Sequence, residues 1–161
     1  MTEVNNLFQQ DLVFIENVEN QEEIFSLIGK ELQEKELVNE EFVNALLNRE
    51  KNHPTGIDLS PVSEGLPNAA IPHTETEYCI GRCIVFVKLE KAIKFYNMIA
   101  PDTKMDAKYL FFIINDQKEN QTNVLSELMA FLTDADNVKA LEELETEDEL
   151  YKFLTEQTIK N

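Results

Sequence analysis

The stretch AKYLFFIIN, from Ala107 to Asn115, decides the fold. It is rich in aromatic and β-branched residues, and no polar residue interrupts it from Leu110 to Ile114. A strand with one wet face would alternate apolar with polar side chains. A nearly continuous run therefore predicts a central strand covered on both sides. The same run is far short of the ~20 apolar residues that a membrane-crossing helix needs.

Working outward, RCIVFVKL (Arg82–Leu89) and the weaker AIKFY (Ala92–Tyr96) read as two more strands. Ala69–Ile71 reads as a short strand that delivers His73 to its surface, and Leu12–Ile15 as a first one. Asn20 can cap a helix, with Glu23 three residues later completing a capping box, and the apolar spacing of Ile24, Phe25, Leu27, Ile28 and Leu32 carries that helix to about Lys35. A second helix starts after Asn39, turns Phe42, Val43, Leu46 and Leu47 inward, carries Arg49 and Glu50 near its end, and stops before Pro54. The last third reads as three helices, Asn120–Thr133, Asp136–Leu144 and Thr146–Gln157, the last opened by a Thr146/Glu149 capping box. Helices before and after a mixed sheet predict a single α/β domain over residues 1–161, with no repeat or linker.

The composition of the 161 residues is that of an ordinary globular protein able to build a core without disulfides or metal. Fourteen Lys and Arg against 31 Asp and Glu leave a net charge of −17. That charge argues against nucleic acid and anionic lipid as partners; it would favour a protein with a basic face, or equally be a solvated acidic surface that serves solubility. The N-terminal MTEVNNLFQQD has no basic segment followed by an apolar one, so a cytosolic protein without membrane insertion is expected. Cys79 and Cys83, four apart in a stretch that reads as extended, would sit ~13 Å apart, too far for a disulfide. They read as core-filling side chains. No metal site and no cofactor is expected, because the two histidines and two cysteines lack the spacing of a ligand set.

Four of the five prolines (Pro54, Pro61, Pro67, Pro72) and two of the four glycines fall between His53 and Pro72. An ordered loop of this length is often functional, so the chemistry is expected at its end. His73 follows Pro72, whose fixed φ presents the ring from a rigid backbone. A neutral imidazole can accept a phosphoryl group and release it again. It could equally be a strand-end histidine that only hydrogen-bonds a carbonyl. Arg49, at the end of the helix leading into the loop, could stabilise phosphoryl charge or merely complement the helix dipole. His53 reads as surface polar. The acidic run Glu142, Glu143 and Glu145 reads as a solvated helix face, and no Gly-rich phosphate loop, GxSxG elbow, HExxH helix or CxxC pair is present.

Two stretches carry a resemblance. REKNHPTGIDL (Arg49–Leu59) followed by NAAIPHTETEY (Asn68–Tyr78) resembles the active-site region of phosphotransferase system IIA proteins of the fructose/mannitol superfamily. The Arg-Glu pair, the Thr-Gly loop and the Ile-Pro-His are the matching features. The REKxxPTG form, His73-Thr74 in place of His-Gly, and KFYNMIAPD (Lys94–Asp102) resemble the galactitol-type branch in particular.

The resemblance implies a mixed sheet flanked by helices. It implies that His73 accepts phosphate on Nε2 from the phosphohistidine of HPr and hands it to a cysteine of the IIB component. Uptake of galactitol or a related polyol would then run through the membrane IIC permease, which binds the sugar. Arg49 would steady the phosphoryl charge. Glu50 and Thr55 match motif positions, as a salt bridge holding Arg49 or as a loop hydrogen bond. Gln121 falls where mannitol- and fructose-type members often carry a second histidine, and as a neutral amide it could donate to a phosphoryl oxygen without titrating. Ile99 stands where many relatives have glycine, which leaves the turn there open. Two other roles fit the same residues: a regulatory IIA-like module whose His73 phosphorylation is sensed by a protein partner, and an acidic adaptor in which His73 is structural.

Overall fold

Five strands in the order β1-β4-β5-β3-β2 form one mixed sheet: β1 Phe8–Glu16, β2 Gly56–Ile57, β3 Asn68–Ala70, β4 Cys83–Tyr96 and β5 Lys104–Ile114. Five helices flank it: α1 Gln21–Glu34, α2 Phe42–Asn52, α3 Gln121–Leu132, α4 Ala135–Glu143 and α5 Glu147–Lys160. The computed structural model describes residues 4–62, 64–117 and 121–160, the side chains of 121, 122 and 157–160 excepted.

The central strand is the one the sequence singles out. β5 pairs antiparallel with β4 and parallel with β3. Its side chains divide between two cores: Tyr109, Phe111 and Ile113 pack with Val124, Leu128, Leu141, Leu150 and Leu154 from α3, α4 and α5. Leu110, Phe112 and Ile114 pack with Ile24, Phe25, Ile28, Phe42 and Leu46 from α1 and α2. Burying each such side chain contributes roughly 1.5–3 kcal/mol against the entropy of ordering it.

Two expectations for the strands change. Arg82–Leu89 and Ala92–Tyr96 are one strand, because Glu90 and Lys91 pass as an irregularity between Lys88 and Ile93 rather than as a turn, and pairing with β5 resumes at Ile93↔Ala107. The first strand begins at Phe8, four residues before Leu12, since on a sheet edge the exposed Gln9, Gln10 and Asp11 can face water. The Asn20 cap accepts from the Glu23 amide at 2.9 Å, and Thr146 and Glu149 bond reciprocally as expected. The expected start of the third helix at Asn120 lies outside the described residues. Cys79 and Cys83 are buried free thiols.

The acidic face on α4 is not simply solvated. Glu142 accepts from Lys108 and from the Tyr109 hydroxyl, while Lys88 Nζ donates to the carbonyls of Glu142 at 2.9 Å and Leu144 at 2.6 Å. That ammonium satisfies helix-end carbonyls that would otherwise lack partners. Among the described residues, no helix is long and apolar enough to cross a membrane.

Candidate functional site

The loop from α2 to β3 is held by its own motif. Proline ends α2, and Pro54 and Thr55 are buried. Thr55 then closes the turn: its amide and its hydroxyl each donate to a different oxygen of Glu50, both at 2.8 Å. Gly56 follows because a Cβ there would lie 2.5 Å from the Tyr96 carbonyl oxygen and 2.7 Å from Met105 Sδ. Each residue of the Pro-Thr-Gly run thus has a steric or hydrogen-bonding reason.

From Thr55 a chain of hydrogen bonds leads to the histidine. The Ile71 amide donates to the Thr55 carbonyl at 3.2 Å, and His73 Nδ1 lies 2.7 Å from the Ile71 carbonyl. A carbonyl can only accept, so Nδ1 carries the proton and Nε2 keeps its lone pair. Ile113 on β5 donates its amide to the Pro72 carbonyl at 3.0 Å, and His73 forms a parallel bridge with Ile113. The ring is therefore mounted on the central strand. The strand-end carbonyl bond of the plainer reading is present, and it leaves the other ring nitrogen available. Among the described residues no hydrogen bond engages Nε2.

His73 lines a cavity of about 260 Å³ together with Arg49, His53, Pro54, Thr55, Ile71, Met98, Leu125 and Met129. Burial lowers the His73 pKa from its ordinary 6.5; the Ile71 carbonyl and Glu75 oppose that, and Arg49 adds to it. The net direction keeps the imidazole neutral. Arg49 does not pair with Glu50. Its Nη1 lies 2.7 Å from a carboxylate oxygen of Glu75, while its Nε is buried with no hydrogen-bond partner among the described residues. Glu50 is 4% exposed, and burial raises its pKa to about 7 against the two Thr55 hydrogen bonds and the Arg49 charge. Of the two roles left open for Glu50 and Thr55, the loop hydrogen bond is the one formed.

Four of the five residues singled out from the sequence thus gather here: Arg49, Thr55 and His73 on the cavity wall, Glu50 behind Thr55. Gln121 is the first residue of α3, and its side chain lies outside the described residues. His53, read as surface polar, is exposed but lines the cavity. Glu75 was missed. It stands two residues after His73, a spacing that carried no signal because its partner Arg49 is 26 positions away. The turn in doubt at Ile99 forms without glycine: Asn97 Oδ1 accepts from the amides of Ile99 at 2.8 Å and Ala100 at 3.2 Å.

The sequence matches the family described as phosphoenolpyruvate-dependent sugar phosphotransferase system, EIIA 2, over residues 6–157, and the chain belongs to that family of phosphotransferase components. No curated protein matches it significantly. Among solved structures, the mannitol-specific cryptic phosphotransferase enzyme IIA CmtB of Escherichia coli is similar with a TM-score of 0.74 at 16% identity, covering 96% of this chain and 99% of that one. Enzyme IIAMtl of Escherichia coli, in its complex with phosphorylated enzyme IIBMtl, gives 0.71 at 21% identity over 91% and 96%. The nitrogen regulatory protein IIA-Ntr of Neisseria meningitidis gives 0.68 at 18% identity over 94% and 99%. These likenesses establish the shared fold.

Proposed function

We propose that this protein is a phosphoryl carrier of a sugar phosphotransferase system, accepting a phosphoryl group on His73 Nε2 from phospho-HPr and passing it to a cysteine of a IIB component. The observation that carries this reading is the bond from Nδ1 to the Ile71 carbonyl, which fixes the tautomer with its lone pair on Nε2 beside Arg49. The lone pair attacks phosphorus, and the donor's P–N bond breaks with its electron pair returning to the donor ring. His73 keeps its Nδ1 proton and carries the positive charge of a phosphorylated imidazolium. In the second step a thiolate attacks phosphorus, the P–Nε2 bond breaks, and the electron pair returns to His73, which is neutral again. Arg49 lies beside the equatorial oxygens in both steps.

The IIA–IIB complex of the mannitol relative supports a IIB partner for this chain. His73-Thr74, the Lys94–Asp102 segment and Gln121 favour the galactitol-type branch, with galactitol or a related polyol bound by the membrane IIC permease. The structural likeness to a nitrogen regulatory IIA protein gives a second reading, in which a partner senses the phosphorylation state of His73. The two differ in whether a IIB cysteine rapidly takes the phosphate from His73.

The test is incubation with phosphoenolpyruvate, enzyme I and HPr, followed by intact mass of the parent and of His73→Ala. One phosphate on the parent and none on the variant is the expected result; no gain on either would overturn the reading.

A further inference from the structure

Glu75 is the nearest anion to the arginine of the site, and nothing in the family resemblance gives it a task. Its carboxylate lies 2.7 Å from Arg49 Nη1, with the two side chains 49% and 30% exposed. The backbone that carries it is fixed. The buried Thr74 hydroxyl donates to the Glu75 carbonyl at 2.8 Å, and the Cys79 amide closes a short 3₁₀ turn, Thr76–Tyr78, onto Thr76 at 3.0 Å. Arg49 is presented from the last turn of α2, whose end is closed by the His53 amide donating to the Arg49 carbonyl at 2.7 Å. Two fixed backbones therefore set this pair beside the cavity that His73 lines.

A phosphoryl group on Nε2 would bring close to two negative charges and three acceptor oxygens. The guanidinium has five donors in a rigid fork. Glu75 takes Nη1 alone, and among the described residues no other hydrogen bond engages the fork, so donors remain for a second anion. Resting on the phosphoryl-carrier reading above, we propose that Glu75 is a positioning residue that stands in for the phosphoryl group on Arg49 before transfer. After transfer it competes for the same guanidinium, which keeps phospho-His73 easy to surrender. The opposed influences of Arg49 and Glu75 on the His73 ring place both charges within electrostatic reach of it. A carrier gains from such a device, because a phosphohistidine held too well by its arginine would not pass the group on. Glu75 forms no bond to phosphorus, and bonds and electron pairs move as in the two transfer steps between the donor ring, His73 and the thiolate.

The experiment measures phosphoryl partition. The full-length parent, Glu75→Gln and Glu75→Asp are each equilibrated with HPr and a limiting supply of phosphoenolpyruvate and enzyme I, and the ratio of phospho-protein to phospho-HPr is read by intact mass. Glu75→Gln keeps the shape and an acceptor while removing the charge. It is expected to shift the ratio toward the phosphorylated protein by about fivefold, a charge effect of the size that part-exposed ion pairs show. Glu75→Asp is expected to stay within about twofold of the parent, since it keeps the charge. An unchanged or lowered ratio in Glu75→Gln, or Glu75→Asp behaving as Gln does, overturns the inference while the parent remains phosphorylated. A parent that takes no phosphate overturns the carrier reading instead, and this inference with it.

Discussion

Glu50 follows Arg49 in the chain and Glu75 pairs with it in space, and the two acids differ in burial, in partner and in the direction of their pKa shift. Glu50 is buried, bonds to the loop through Thr55, and burial raises its pKa to about 7. Glu75 is about half exposed, bonds to Arg49, and that bond lowers its pKa. The first carboxyl holds the loop in shape and is strained by its own charge. The second contributes charge and almost no packing. Holding the loop and pairing with the arginine thus fall to different acids of one site.

The largest effect that could break this comparison lies in the pH dependence of folding. A Glu50 pKa near 7 against the ordinary 4.5 means that the folded state holds the proton more tightly than the unfolded chain does. The resulting stabilisation is full below pH 4.5 and is lost as pH rises through 7. Relative to Glu50→Gln, the parent is expected to lose on the order of 3 kcal/mol between those limits, read from urea unfolding at several pH values. Glutamine keeps both contacts, with Oε1 facing the Thr55 amide and the Thr55 hydroxyl turning to accept. Parallel stability curves for parent and variant would show that burial does not strain Glu50.

A smaller effect is expected from Thr55→Val, which removes the hydroxyl donor from a buried carboxylate. The loss at pH 8 is about 2 kcal/mol by denaturant unfolding. Because Ile71 hangs from the Thr55 carbonyl and the His73 ring from the Ile71 carbonyl, a change in the His73 ring signals should accompany it. Smallest is the stability change in Glu75→Gln, under about 0.5 kcal/mol, as for other exposed ion pairs. A loss comparable to that of Thr55→Val would mean that Glu75 is structural after all, and the contrast between the two acids would collapse.

How much of this could be read from the chain depends on what each feature requires. β5 was legible because a strand covered on both faces cannot hide its apolar run. The extent of β1 was not, because on an edge Gln9, Gln10 and Asp11 are tolerated in a strand and look like loop. β4 was divided in two because the exposed Glu90 and Lys91 resemble a turn. At the site, His73, Thr55 and Arg49 were found through their motif, but the pairing was not. Neighbours on a helix point about 100° apart, so Arg49 faces the cavity while Glu50 faces the interior, and no ion pair joins them. The partner Arg49 does take comes from a turn after β3, a proximity that only the folded sheet creates.

One consequence concerns reach. Pro72 and His73 are laced to Ile113 in the middle strand of the sheet, the part of a protein that opens last. The imidazole is in effect a fixed post. A swinging-arm mechanism, in which the carrier's own loop ferries the group between donor and acceptor, is unavailable to it. If His73 carries a phosphoryl group as proposed, donor and acceptor would each come to the same post in turn, and two otherwise unrelated proteins would have to present their reacting atoms along one line of approach.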